Sequence, residues 1–182
     1  MIFLPNSFDR YLSSLRLYIS HLILRDGLSK RNFEKLKKIY FAEALFYKNT
    51  RQNIDVNKLC YNLLSAVKNL KPRFDFKITA SQNILINEQL LINLLLSLAT
   101  ETDYLKIDIT QKFLIIKTKS KIKTALPITR VLKSFTLYEI KQCETLIAIP
   151  IKITKEKSAP IDSEWEYTFN KFSVVNMYLN NN

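Results

Sequence analysis

The stretch "QNIDVNKLCYNLLSAVKNLKPRFDFKITASQNILINEQLLINLLLSLATE", residues 52–101, decides how this chain is read. Asp55 is placed to cap a helix, because its carboxylate accepts from backbone N–H groups that the first turn leaves unpaired. Behind it Val56, Leu59, Cys60, Leu63, Leu64, Val67 and Leu70 recur at helical spacing, one apolar stripe over 56–70. Lys71-Pro72 stops that helix, since the residue before a proline is pushed out of the helical region. "FDFKITA" alternates Phe74, Phe76 and Ile78 with polar neighbours, the pattern of a half-buried strand. "NILIN" reads as a short second strand. Asn87 then caps a helix to about residue 100 that is apolar almost all round, which predicts a helix sandwiched between layers.

Working outward towards the N-terminus, residues 7–26 read as a helix with Phe8, Leu12, Leu15, Ile19 and Leu22 in a bundle-like seam. Asp26-Gly27 ends it, and Gly27 is the chain's one glycine. Ser29 caps a second helix over about 30–48, rich in apolar residues from Ile39 to Tyr47. The short connection makes the pair an antiparallel hairpin. A lone hairpin leaves a wide apolar arc uncovered, so pairing of two copies into a four-helix bundle is expected. "TRQNID" reads as the joint to the body.

Towards the C-terminus, "YLKIDIT" and "FLIIKTKS" read as strands turning at Gln111-Lys112. Pro127 to Phe135 reads as a short helix, and "LYEIKQ" and "TLIAIPIKI" as strands turning at Cys143-Glu144. The fold class is therefore α+β, with helices on a mostly antiparallel sheet. The domains expected are a hairpin over 1–50, a body over 51–155 and an extension over 156–182, the last read as an added strand or a docking helix.

Composition narrows the function. Hydrophobic residues make up 47%, enough for a core. Cys60 and Cys143 are too few for a disulfide framework and read as reduced structural thiols. "MIFLPNSF" lacks the basic start and apolar run of a signal peptide. "LLINLLLSLA" falls short of the roughly 20 residues that span a bilayer, so a soluble cytoplasmic chain is expected, without membrane contact. Twenty-eight Lys and Arg against 16 Asp and Glu give a net charge of +12, which favours acidic partners. One histidine excludes a His/Cys metal cluster. One glycine excludes phosphate-cradling glycine loops.

A helical hairpin, a linker helix and an α/β sandwich in that order resemble the core of bacterial sensor histidine kinases. "DVNKLCYNLLSAVKNLKPRFDFKI" looks like the start of their catalytic domain, and "ILINEQLLINLLLSLATE" like the helix bearing their magnesium-binding asparagine, which falls here on Ser97. The glycine-rich nucleotide boxes have no counterpart, so no ATP and no other cofactor or metal is expected. The pattern is closer to bacterial histidine phosphotransferases built on a degenerate histidine-kinase fold, the group that includes an alphaproteobacterial cell-cycle phosphotransferase and that of the sporulation phosphorelay. "YFAEALFYKNTRQNIDVNKLCYNLLSAVKNLKPRFDFKI" resembles the first, and "TLYEIKQCETLIAIPI" the terminal strand pair of the second. That resemblance implies a homodimer that binds response-regulator receiver domains.

Laid on the family's first helix, "SFDRYLSSLRLYISHLIL" puts Phe8 at the phosphoacceptor position and Asp9 at the acid that follows it. Phenylalanine cannot take a phosphoryl group, so an adaptor or inhibitor is expected. The alternative acceptor is His21, 13 residues on and about 20 Å along the helix axis; its other reading is a structural side chain. Arg10, Lys30, Arg31, Lys117, Lys119, Lys121 and Lys123 are the candidate partner-binding residues. A reading from a different class is a basic nucleic-acid-binding module with a helical dimerisation arm.

Overall fold

The computed structural model describes residues 14–15, 17–19, 21–22, 24–25, 29, 51–79, 81–119, 141–142, 146–169 and 174–179. The second hairpin helix, the short helix expected at 127–135 and the turn at Cys143-Glu144 lie outside the described residues. Those between 14 and 25 are helical.

The body begins with β1 (Gln52–Asp55) and α1 (Val56–Leu70). Asp55 caps α1 as expected, its Oδ1 accepting from the Lys58 N–H at 3.0 Å. The stripe from Val56 to Val67 is buried, Leu59, Cys60, Leu63 and Leu64 completely. β2 (Asp75–Ile78), β3 (Asn83–Ile86) and α2 (Glu88–Glu101) follow. The Leu90 N–H donates to Asn87 Oδ1 at 2.9 Å, so Asn87 caps α2. Ten of the 14 residues of α2 are buried, which is why it is apolar on nearly every side. Lys71 ties the two helices together: its Nζ donates to the carbonyls of Ala99 at 3.2 Å and Thr102 at 3.0 Å. Those carbonyls close α2, where the helix dipole favours a cation.

β4 (Tyr104–Ile109), β5 (Phe113–Thr118), β6 (Lys141–Gln142), β7 (Leu146–Pro150) and β8 (Ile153–Thr154) complete two sheets. The larger has the order β2-β4-β5-β7-β6 and the smaller β1-β3-β8. Every pair is antiparallel except β2 with β4, which the α2 crossover makes parallel. Leu105, Ile107, Leu114, Ile116, Ile147 and Ile149 turn one face of the larger sheet to the helices and form the core with them.

Two segments depart from expectation. Gln52–Asp55, read as a joint, is strand β1, paired with β3 from Gln52↔Ile86 to Asp55↔Asn83. "TLIAIPIKI", read as one strand, divides after Pro150. Ile151 still donates to the Lys112 carbonyl at 2.9 Å, but Lys152 accepts from Leu85 at 3.0 Å, and the chain enters the smaller sheet as β8.

The extension follows the body closely. Four asparagine amides hold it: Asn53 donates to the Glu156 carboxylate, Asn83 to the Glu156 carbonyl, Asn62 to the Asp162 carbonyl and Asn69 to the Glu164 carboxylate. Ser163 and Glu166 form a reciprocal capping box, Ser163 N–H to Glu166 Oε2 at 2.6 Å and Glu166 N–H to Ser163 Oγ at 3.3 Å. It opens α3 (Glu164–Phe169), which packs on α1; α4 (Val174–Leu179) packs on both α1 and α2. Residues 164–169 and 174–179 of the added segment are thus helical and lie against the helical layer. The Tyr178 hydroxyl donates to Asn93 Oδ1 at 2.6 Å in the buried seam.

Candidate functional site

The N-terminal helical segment has two unlike faces. Ile19 is buried, and Leu15 and Leu22 are half-buried, which is the apolar seam read from the sequence. The opposite arc carries Leu17, His21 and Leu24, spaced i, i+4, i+7, with Tyr18 beside them. Leu17 is 66% exposed, Tyr18 60% and Leu24 57%; His21 is exposed between them. Only Tyr61 and Trp165 are comparably exposed large apolar residues among those described. A helix that buries one apolar stripe and shows water a second has a face to cover, and a cluster of large exposed apolar residues marks an interaction surface.

His21 is the one expected site residue on this arc. Its imidazole reaches solvent, as a nucleophile that meets a partner protein must. Phe8, Asp9, Arg10, Lys30, Arg31, Lys121 and Lys123 lie outside the described residues. Leu17, Tyr18 and Leu24 were not singled out from sequence, although the 17/21/24 spacing is legible once the 15/19/22 seam has been assigned inward.

Lys117 and Lys119 belong to a different surface, the side of the larger sheet turned away from the helices. Lys117 is exposed on β5. Lys119 Nζ stands 4.3 Å from the centre of the Tyr104 ring, a cation–π contact.

The interior offers little chemistry. Ser97, at the position of the kinase asparagine, is 8% exposed on α2, and its carbonyl accepts from the Thr100 hydroxyl at 2.7 Å. Cys60 is fully buried, and burial followed by the Asp55 charge pushes its thiol up to about 12. It is a core side chain, not a nucleophile. Among the described residues no group of three or more His, Cys, Asp and Glu is placed to hold a metal ion, and no helix is long and apolar enough to cross a membrane.

The shifted carboxylates mark where the extension meets the body. Burial, then the charge of Asp162, raises Glu88 above the usual carboxylate range, while burial followed by Glu166 raises Asp162. Gln52 Nε2 donates to Glu88 Oε2 at 3.4 Å. Glu166 is lowered by the N–H and hydroxyl of Ser163 in the capping box. On exposed ground Asp75 is held below its usual value by Lys68, and Asp103 by Lys71.

No family model matches the chain, and no curated protein matches it. Among solved structures, the cytoplasmic segment of the histidine kinase QseC is similar at 11% identity and a TM-score of 0.38, over 86% of this chain and 100% of that one. A TM-score of that size does not establish a shared fold.

Proposed function

We propose that this chain is a docking protein of two-component signalling, which receives a response-regulator receiver domain on the outer arc of its N-terminal helix. The observation that carries the reading is the exposed set Leu17, Tyr18, His21 and Leu24, backed by buried Ile19. A receiver domain approaching that arc covers large apolar side chains and meets an imidazole at their centre. The α+β body, in a chain with one glycine, supports a reading that needs no nucleotide. The body is then a rigid second contact instead of a nucleotide-driven engine. Pairing of two copies through the hairpin belongs to the same reading. The net charge of +12 speeds encounter with an acidic receiver pocket.

Titration of purified receiver domains against the full chain tests this. Leu17→Asp with Leu24→Asp is expected to abolish binding without unfolding the body. His21→Ala is expected to leave binding intact if the chain is an adaptor. Transfer of label from a phosphorylated receiver to the chain, lost in His21→Ala, would make it a relay instead. Receiver binding undiminished in the Leu17→Asp, Leu24→Asp variant would refute the arc as the docking face.

A further inference from the structure

We propose that the face of the larger sheet turned away from the described helices binds single-stranded nucleic acid along a row of lysines that crosses three strands. The register places Lys77 of β2 beside Lys106 of β4, and Lys106 beside Lys117 of β5. Their strand neighbours Phe76, Ile78, Leu105, Ile107, Ile116 and Thr118 turn towards the helices, so all three lysines turn the other way. With strands about 4.8 Å apart, the row is about 10 Å long. Lys106 is ion-paired with Asp108 at 3.0 Å, and Asp75 is held by Lys68 at 3.0 Å. Lys77 and Lys117 are exposed, and among the described residues no carboxylate pairs with either. Like charges placed directly opposite on a sheet destabilise it. A polyanion laid along the row removes that repulsion.

Aromatic rings share the face and favour a nucleic acid over an acidic peptide. Tyr104 lies two residues before Lys106 on β4, half-buried, with Lys119 over its ring at 4.3 Å. Phe113 lies four residues before Lys117 on β5, also half-buried. A sheet that offers aromatic faces beside a cationic track takes unstacked bases on the rings and the backbone on the lysines. Duplex bases present no free face to such rings. Phosphates run along Lys77, Lys106 and Lys117, a base lies on Tyr104, and Lys119 shifts from the ring to the next phosphate.

Fluorescence anisotropy with labelled oligo(dT) and oligo(U) of about 12 nucleotides, titrated with the full chain across a salt series, tests the proposal. Four phosphate contacts, at Lys77, Lys106, Lys117 and Lys119, at about −0.7 each give a log–log salt slope near −2.8. Lys77→Gln with Lys117→Gln should flatten that slope by about 1.4. Tyr104→Leu, which keeps the bulk and loses the ring, should weaken binding about five-fold or more with the slope retained. Thermal melts should show the lysine variant folded and no less stable than the parent, because it relieves the repulsion. No binding at low salt, an unchanged slope in the lysine variant, or equal affinity for a duplex of the same sequence would overturn the proposal. Displacement of the oligonucleotide by polyglutamate at equal charge would also overturn it and make the face a site for acidic proteins.

Discussion

Removing one hydroxyl should loosen the extension from the body. Asn93 is fully buried on α2, and its Oδ1 accepts from the Tyr178 hydroxyl of α4 at 2.6 Å, while its Nδ2 donates to the Gln89 carbonyl at 2.7 Å. Tyr178 is 9% exposed, so water cannot readily replace the lost donor. Tyr178→Phe keeps the ring in its apolar seat and leaves a buried carbonyl oxygen short of a partner, which costs about 1–3 kcal/mol. In a chain of 182 residues that lowers the melting temperature by about 2–12 °C. Asn93→Leu alone should also destabilise, because it removes the acceptor that the buried hydroxyl uses on α2. The double variant should recover most of the loss, since replacing both partners by apolar groups is close to neutral. Thermal and urea unfolding followed by circular dichroism supply the double-mutant cycle, with a coupling of at least about 0.5 kcal/mol expected. A Tyr178→Phe protein that melts with the parent, or a cycle with no coupling, would refute the idea that α4 is seated on α2 through this bond.

Other expectations are shorter to state. Glu88 is raised in the folded chain, so the fold holds more protons than the unfolded chain in the window above the ordinary value of 4.5, and stability falls as pH rises through it. Glu88→Gln should therefore raise the melting temperature at pH 7 and lose that advantage below the ordinary value; an equal gain at both pH values would count against the linkage. Asn87→Ala removes the cap of α2 and should cost about 0.5–2 kcal/mol, read from urea midpoints. In a Cys143→Ser background, Cys60 should resist thiol reagents at pH 8 in the folded chain and react promptly in urea, a contrast that mass spectrometry reports.

Local chemistry made much of the body legible. Asp55 and Asn87 announced their caps, the 56–70 stripe its buried face, and the apolar surround of α2 its place between layers. What was not legible depended on partners far along the chain. Gln52–Asp55 is polar and short, with Ile54 its one buried residue, so nothing local marks a strand; β3 makes it one by pairing 28 positions away at closest, Asp55 with Asn83, and 34 at farthest, Gln52 with Ile86. Pro150 hinted at a break in "TLIAIPIKI", but which sheet received the remainder was set by Leu85 and Lys152. The extension returned to apolar character in the sequence without saying where it docked. Its asparagine partners, Asn53, Asn62, Asn69 and Asn83, are scattered over a segment whose pattern is otherwise explained by its own helices and strands. The lysine row was hidden for a related reason. Lys117 and Lys119 stood out as a run, whereas Lys77 and Lys106 acquire meaning only through strand register.

A sequence that folds well satisfies its local rules together, and the places where it does not are where function is to be sought. In the described body the rules largely hold: α1 and α2 are capped, the core is mostly apolar, and the four body asparagine amides that hold the extension are paired. Two surfaces break them. The helix near the N-terminus shows Leu17, Tyr18 and Leu24 to water when its inner seam is already assigned, and the sheet sets three lysines side by side where alternating charges would be more stable. Neither arrangement helps the isolated chain fold. The first is apolar around an imidazole and the second cationic around aromatic rings, so one partner cannot satisfy both by the same chemistry. If each violation exists for a ligand, variants of one face should leave binding at the other unchanged. Loss of both activities from substitutions on either face alone would mean that the two surfaces serve a single contact.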